Sequence, residues 1–478
     1  MKHLIKIYTL AFALLLFSSC EKLLDLDNVS DITNADYWES QGDVESYLFG
    51  VYSEYRNLNN TLTYFEDRGD SFVPGMEGGP SNAWNQNLTP QNAPNWIDFY
   101  KVIQHCNLLI KYSEGITFSS EADKNKLLAE VYFIRAHTYF SLLRIWGEVP
   151  LEIVPTENDT KEMLPRSSVD EVMSQVLADV SQAIEFFPEG ASEKSRASKA
   201  AAYALKADVL LWKAKVLKGS SAELEEVISL ADKASQGLSL EENFENIFSN
   251  ENKEGKEVIF SLHFHRDEKD GHYSSRLKPR DIFVQDAVNR DEIAFARSGA
   301  RSQYAPSPKL QEAFAENPSD VRTDQSYIVA LTADNSIIGI FDNKMRGSVN
   351  AGNRYYDSDI VIYRLAEMIL FKAEALAALN RTDEAITELN KIRNRAQIGD
   401  YTGSTSKTAV EKAILQERFR EFYLELKRWP DLVRFNAAGS IDIYDEVPNL
   451  NGKSVPLFSP IPQTDIDKNP SLNQTEGY

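Results

Sequence analysis

The sequence is poor in cysteine, with only Cys20 and Cys106 in 478 residues. Two cysteines form at most one disulfide, so the chain is not one of the small secreted domains that depend on a disulfide framework. Cys106 lies at helical spacing with Val102, Ile103 and Leu109, and we expect it to be a small buried apolar side chain rather than a nucleophile. Stability is therefore expected to come from packing.

Basic charge is also scarce, with 51 Lys and Arg residues against 72 Asp and Glu residues and a formal net charge of -21. A surface of this sign repels phosphate backbones, so the composition disfavours a nucleic-acid partner. The sequence also contains no Gly-x-Ser-x-Gly elbow, no phosphate-binding P-loop and no dinucleotide fingerprint. The absence of these motifs weakly disfavours an enzyme.

The apolar run from Leu10 to Phe17 is too short to be a good membrane span, and it lies in a typical secretory signal. Lys2 and Lys6 precede the run, and small residues follow it directly before Cys20, which resembles the lipobox of bacterial lipoproteins. We therefore expect a signal peptide over residues 1–19 and acylation of Cys20, which would leave no pair for an intrachain disulfide. Several acyl chains anchor a protein stably, at about 0.8 kcal/mol per buried methylene.

Helical periodicity is strongest in residues 359–395, where apolar residues recur at helical spacing on both sides of a break at residues 380–382. Small residues lie where two helix backbones would meet, as in the tetratricopeptide repeat of roughly 34 residues. Residues 134–140 and 205–211 align without gaps to residues 371–377, each with alanine in third place. The sequence therefore predicts a mainly α fold, a tetratricopeptide-like helical repeat scaffold.

Two stretches interrupt the predicted repeats, which cover about residues 44–58, 96–236 and 359–428. Residues 59–95 are rich in Gly, Pro and Asn and predict a long loop, and loops of this length usually have a function. Residues 257–358 begin with a strand-like alternation and then lose helical periodicity, which predicts an irregular insertion with minor β structure. Because the insertion joins helices of one repeat set, we expect a single interlocked domain over residues 20–478.

Two clusters of titratable residues invite a chemical interpretation. Glu417, Glu421 and Glu425 lie four apart on one helix face, whereas a glycosidase needs two carboxyl groups facing each other across the substrate. With several arginines nearby, a structural ion-pair network is the better interpretation. His263 and His265 lie on one side of a strand before His272, but nothing completes a zinc ligand set, so we expect surface imidazoles and no metal or other cofactor.

An ordered set of motifs extends along the chain to its last residues. Its members include Arg135-Ala136 with Tyr139-Phe140, residues 146–150 (WGEVP), residues 364–367 (RLAE), Arg393-x-Arg395-Ala396, Arg428-Trp429, residues 431–434 (DLVR), Asn469-Pro470 and Gly477-Tyr478. No single motif decides the assignment, but the ordered set resembles the SusD/RagB family of surface lipoproteins.

This resemblance implies a nutrient-binding protein, usually for glycans, beside a SusC-like TonB-dependent transporter. It also implies a lipid-anchored protein on the outer membrane of a Gram-negative bacterium, facing the cell exterior. The family motifs do not contain the aromatic residues that contact ligand, so the resemblance does not identify the ligand.

The two irregular stretches supply candidates for the binding site. Sugar rings present an apolar face and a rim of hydroxyl groups, so an aromatic side chain among amides and charged groups suits them. Trp84 is the best candidate because it lies mid-loop, whereas Trp96 begins a helix and is expected in the core. The candidate residues are Trp84, Asp70, Arg68, Asn85 and Tyr64 in the loop, and Tyr273, Tyr304 and Tyr355 in the insertion.

We therefore expect a non-catalytic protein that captures oligosaccharide or polysaccharide for a transporter. One alternative is a peptide or other nutrient receptor on the same scaffold. Another is a surface glycoside hydrolase, but the sequence shows no opposed pair of carboxylates to support it.

Overall fold

The computed structural model describes residues 37–158, 162–190 and 192–478. The expected signal peptide and Cys20 lie outside these residues. Within them the chain forms fourteen α-helices and eight short strands, so the mainly α prediction is confirmed. No helix in the described part of the chain is long and apolar enough to cross a bilayer.

The helices fall into an N-terminal and a C-terminal group. The N-terminal helices are α1 (Gln41–Asn59), α2 (Ile97–Ser113), α3 (Glu121–Trp146), α4 (Val169–Phe186), α5 (Lys199–Val216) and α6 (Ser221–Ala234). The later helices are α7 (Pro308–Ala315), α8 (Thr323–Ser326), α9 (Leu365–Ala378), α10 (Thr382–Arg395), α11 (Lys407–Glu421), α12 (Arg428–Ala437), α13 (Ile443–Glu446) and α14 (Gln463–Lys468).

Side-chain caps fix where several helices begin. Ser168 and Glu171 form a capping box at the start of α4, and Ser220 and Glu223 form another at the start of α6. At α3 the Ser120 hydroxyl accepts a hydrogen bond from the backbone N–H of Asp123. Each of these caps is visible in the sequence, as Ser-x-x-Glu at α4 and α6 and as Ser-x-x-Asp at α3.

The helices pack as consecutive pairs, α3 against α4, α5 against α6 and α9 against α10. The three segments that align in sequence lie in α3, α5 and α9, the first helix of each pair. Helix α9 also packs against α6, although the insertion separates them in sequence. One large hydrophobic cluster runs through these helices and includes residues from Trp38 to Leu472, with Cys106 fully buried in it.

The strands form four two-stranded antiparallel sheets. They are β1 (Phe72–Pro74) with β3 (Tyr304–Pro306), β2 (Val258–Leu262) with β8 (Ile360–Arg364), β4 (Tyr327–Leu331) with β5 (Ile337–Asp342), and β6 (Ser348–Asn350) with β7 (Asn353–Tyr355). The β2–β8 pair closes the two ends of the insertion onto each other.

Strand β8 corrects one expectation from the sequence, because the helical periodicity predicts a helix that already includes residues 360–364. Helix α9 begins only at Leu365. The β-branched and aromatic residues before it favour a strand, and β2 supplies the partner, with Ser261 opposite Val361 and Leu262 opposite Ile360.

The three glutamates of α11 and the turn after it are buried in ion pairs, as predicted. Arg322 lies 2.7 Å from Glu417 and 2.8 Å from Glu421. Arg364 lies 2.5 Å from Glu421 and 2.8 Å from Glu425. Removing one member would leave a buried charge unpaired, which typically costs ~3–5 kcal/mol. The network joins the insertion, the start of α9 and the end of α11.

Candidate functional site

Strands β1 and β3 bring the loop of residues 59–95 against the insertion. Phe72 lies opposite Pro306 and Pro74 opposite Tyr304, and the contact continues beyond the strands. The backbone N–H of Gly75 donates to the carbonyl of Gln303 at 2.8 Å, and that of Glu77 donates to the carbonyl of Ser302 at 2.8 Å. We call residues 72–86 with residues 301–306 the seam.

Glycine allows the close approach of the two chain segments at the seam. A Cβ atom on Gly75 would lie 2.5 Å from the carbonyl oxygen of Ser302, and one on Gly78 would lie 2.7 Å from Cγ of Gln303. Both distances are shorter than atoms tolerate, so the residue type is dictated by the packing.

Trp84 is held at the surface of the seam by three hydrogen bonds. Its indole N–H donates to the carbonyl of Phe72 at 2.9 Å, and its backbone N–H donates to the Ser81 hydroxyl at 3.0 Å. Its carbonyl accepts from the side-chain amide of Asn449 at 3.0 Å. The ring is half-buried, so the structure fixes its orientation while part of it stays accessible.

Asn85 follows at the same surface and is also half-buried. Its side-chain amide donates to the carbonyl of Pro80 at 3.4 Å, and its own carbonyl accepts from Lys453 at 2.6 Å. Trp84 and Asn85 therefore supply an aromatic ring and an amide at consecutive positions, both partly accessible, and this combination suits a sugar.

Asp70 and Arg68 are buried in the frame of the loop, which corrects their place among the ligand candidates. Arg428 and Lys309 hold Asp70, and although burial would raise the pKa of this carboxyl, their charges lower it to about 2. Arg68 donates to the carbonyls of Leu457 and Pro456 at 2.6 and 2.8 Å and stacks on the Trp429 ring at 4.4 Å. The polar groups of both side chains therefore bind partners inside the protein.

Tyr273 and Tyr304 are buried as well, and they too are corrected as ligand candidates. The hydroxyl of Tyr273 donates to the carbonyl of Leu424 at 2.8 Å, and the Tyr304 hydroxyl accepts from the backbone of Ser81 at 3.3 Å. Tyr304 thus supports the seam from beneath, against Phe72 at a ring distance of 5.7 Å.

Tyr64 and Tyr355 are half-buried and lie on other elements. The Tyr64 ring packs 4.9 Å from that of Phe99, and its hydroxyl donates to the carbonyl of Asn95 at 3.1 Å. Tyr355 belongs to the β6–β7 hairpin, opposite Ser348. Among the predicted residues, the seam therefore brings together Trp84, Asn85 and, underneath, Tyr304.

The expected surface imidazoles differ from one another. His263 and His265 are half-buried with parallel rings 6.5 Å apart, whereas His272 is fully buried, which corrects that expectation. Burial lowers the pKa of His272 to about 3, and its Nδ1 accepts from the backbone of Ser274 at 3.0 Å. The described residues contain no cluster of three His, Cys, Asp or Glu that could hold a metal ion.

Several residues that form or contact the seam have no signal in the sequence. Gln303 lines the strand edge, Glu77 forms an ion pair with Arg280, and Asn449 and Lys453 reach the seam from a C-terminal loop. No local pattern indicates these contacts, because each joins positions more than two hundred residues apart in the chain.

Comparison with known proteins identifies the family. A family model described as the SusD family matches residues 235–478, just over half of the chain. The chain belongs to the SusD family. A second family model, described as "starch-binding associating with outer membrane", matches residues 22–211, so the resemblance inferred from the motifs is confirmed.

Individual relatives of this SusD-family chain match along its length. SusD-like protein P38 of Formosa agariphila is 27% identical over 98% of both chains. The starch-binding protein SusD of Bacteroides thetaiotaomicron is 36% identical over 129 residues, which is 26% of this chain and 22% of the relative. The crystal structure of a SusD superfamily protein from Bacteroides fragilis has a TM-score of 0.82 at 26% identity, covering 92% of this chain and all of that one.

Proposed function

We propose that this protein is a non-catalytic cell-surface lipoprotein that binds oligosaccharide at the seam and delivers it to a TonB-dependent outer-membrane transporter. The observation that carries the proposal is the Trp84 indole, fixed by a 2.9 Å hydrogen bond and left partly exposed next to Asn85 in the chain. A ring that is already oriented loses little entropy on stacking against a sugar. The family description as starch-binding supports the glycan class.

The buried glutamates support a binding role rather than hydrolysis. Glu417, Glu421 and Glu425 share arginines inside the protein, and the charges of those arginines lower the pKa values of all three carboxyls despite burial. A general acid needs a raised pKa and access to the substrate. These three residues have neither.

Delivery to a transporter does not require tight binding of the ligand. A site tethered beside a channel raises the local concentration of ligand at its entrance, so modest affinity suffices. The transporter part of the proposal is tested by co-purification: solubilised outer membranes should yield a large β-barrel partner with the tagged protein, and purification of the tagged protein alone would contradict it.

Affinity electrophoresis tests the glycan site. We expect retardation of the wild-type protein in a gel containing starch or another soluble polysaccharide, and at least about a tenfold loss of affinity for Trp84→Ala. Phe49→Ala is the matched control, since Phe49 is an exposed aromatic residue of α1, 61% accessible, whose ring contacts Arg196 rather than a residue of the seam. Absence of retardation by any polysaccharide, with binding of peptides instead, would overturn the glycan assignment, and an equal loss in both variants would overturn the site.

A further inference from the structure

A second concave region lies away from Trp84, within the insertion and the segment before it. It is a cleft of about 1300 Å³, lined by residues of the segments 245–253, 323–329 and 343–357 and by His265, Arg266, Asn289 and Glu292. Its volume exceeds that of typical small-molecule sites, ~300–1,000 Å³, so it can hold more than one sugar ring. We call it the arginine cleft.

Arg346 and Arg354 lie next to each other in the wall of this cleft. Arg354 donates from Nη1 to the carbonyl of Arg346 at 2.6 Å. Arg346 donates from Nη2 to the carbonyl of Glu292 at 2.9 Å and from Nη1 to the side chain of Asn343. A guanidinium has five N–H donors, so both groups retain donors for a ligand.

Neither guanidinium has a carboxylate partner. Most buried arginines of the described residues form ion pairs, but no Asp or Glu oxygen there lies within 4.0 Å of Arg346 or Arg354. Both side chains are half-buried. Burial, and to a smaller degree the charge of Arg346, lowers the pKa of the Arg354 guanidinium. Asp357, a buried carboxylate of the same wall, accepts instead from Asn250, Ser348 and the backbone of Arg266. Two adjacent cations that have no carboxylate within 4.0 Å form an unfavourable arrangement that an anionic ligand would relieve.

The rest of the wall suits a saccharide. Tyr327 offers a half-buried aromatic ring, and amides from Asn246, Asn250, Asn289 and Gln325 line the same cleft. Two of these amides, Asn250 and Gln325, have a buried carbonyl oxygen with no hydrogen-bond partner. Unsatisfied buried acceptors are unfavourable, and a small movement would let them accept from hydroxyl groups.

The rim limits how much negative charge can enter. Glu245, Glu251, Glu292 and Asp324 are exposed around the cleft. A continuous polyanion would pass these carboxylates and be repelled, whereas one acidic unit among neutral sugars would reach the arginines.

We propose that the arginine cleft is a second saccharide site that takes a single acidic sugar unit, a uronate or a sulfated residue, with its anionic group at Arg346 and Arg354. The proposal rests on the proposed function for the saccharide class of the ligand and is independent of Trp84. Arginine suits this role because its planar donors match the two oxygens of a carboxylate or sulfate.

Calorimetric titration with a glucuronate-capped disaccharide and its methyl ester tests the proposal. The ester keeps the shape and removes the charge, so we expect it to bind about tenfold more weakly. Arg346→Gln with Arg354→Gln should weaken binding of the acid to the level of the ester. Arg346→Lys with Arg354→Lys keeps the charge but loses the paired planar donors, so we expect an affinity for the acid between those of the wild type and the double Gln variant, and an unchanged circular dichroism spectrum excludes a folding defect.

Two control variants distinguish the arginine cleft from the seam and from exposed arginines elsewhere on the surface. Trp84→Ala should leave binding of the acid unchanged, so loss of seam binding and loss of cleft binding are distinguishable. Arg381→Gln, which changes an exposed arginine at the start of α10 paired with Glu384, should have no effect. Equal affinity for acid and ester, an unchanged affinity in the double Gln variant, or binding of inorganic sulfate or acetate as tight as that of the disaccharide would each overturn the proposal.

Discussion

Arg428 and Asp70 are 358 positions apart in the chain, yet Arg428 donates two hydrogen bonds of 2.6 and 2.8 Å to the Asp70 carboxylate. Lys309 completes the arrangement at 2.9 Å from the second oxygen. The three residues belong to helix α12, the loop of residues 59–95 and helix α7. One buried carboxylate therefore connects the C-terminal helices, the loop and the insertion, and this connection fixes the position of the seam.

Asp70→Asn should destabilise the whole domain. The change leaves the buried guanidinium of Arg428 without its charge partner, and loss of one member of a buried pair typically costs ~3–5 kcal/mol. Urea denaturation followed by circular dichroism measures the effect. Glu384→Gln removes a carboxylate from the exposed pair with Arg381 and should leave the denaturation midpoint nearly unchanged. Similar midpoints for both variants would contradict the structural role of Asp70.

Glu66 should make stability fall as pH rises. Burial raises the pKa of Glu66 to about 8, above the ordinary value of 4.5 that applies in the unfolded chain. Between these two pH values Glu66 is protonated in the folded state and ionised in the unfolded state. The contribution of Glu66 to stability is therefore fully present below about pH 4.5 and is lost as pH rises through 8. One pKa unit corresponds to ~1.4 kcal/mol, so the contribution amounts to a few kcal/mol.

Glu66→Gln tests this linkage, because glutamine resembles the protonated carboxyl at every pH. We expect the variant to show a flatter dependence of unfolding free energy on pH between 5 and 8 than the wild type. Glu374→Gln is the contrasting control, because Arg434 and Lys215 lower the pKa of Glu374 to about 2 despite its burial. This substitution should therefore change the pH dependence of the unfolding free energy only at pH values below 4.5. An unchanged slope in Glu66→Gln would refute the raised pKa.

The helical scaffold could be predicted from the sequence because its signals are local. Capping residues such as Ser168 and Glu171 are three positions apart, and the apolar face of α9 repeats within a few turns. The strand before α9 has no comparable local signal, because β2, which pairs with it, lies about a hundred residues earlier. Periodicity alone cannot separate a short apolar strand from the start of a helix.

The candidate site was predicted less well, because exposure is decided by distant partners. Trp84 and Asp70 lie in the same polar loop, and the residues around them do not indicate which of the two side chains is exposed. Trp84 stays partly exposed because Phe72 and Asn449 bind only its edge and backbone, whereas Asp70 is covered by Arg428. Asn449 and Arg428 lie more than 350 residues along the chain from their partners, so no pattern within the loop indicates these contacts.

Gly75→Ala should disrupt the seam more than it disrupts the domain. The added Cβ would lie 2.5 Å from the carbonyl oxygen of Ser302, so the β1–β3 contact must open, and overpacking of this kind typically costs ~1–3 kcal/mol. We expect faster proteolysis within residues 72–86 and weaker polysaccharide binding. Gly79→Ala is the matched control, since nothing lies within 4 Å of its Cβ position. Equal protease resistance and binding in the two variants would show that the close approach at Gly75 is dispensable.

The lipid anchor is tested by Cys20→Ala. If Cys20 carries several acyl chains, each buried methylene contributes about 0.8 kcal/mol, and the protein should remain with the membrane through repeated washing. The alanine variant has no acyl acceptor and should appear in the soluble fraction, without incorporation of labelled palmitate. Cys106→Ala removes the other cysteine, which is fully buried in α2, and should keep both the membrane location and the label. Retention of Cys20→Ala in washed membranes would show that a contact other than acylation tethers the protein, with the transporter as the first partner to examine.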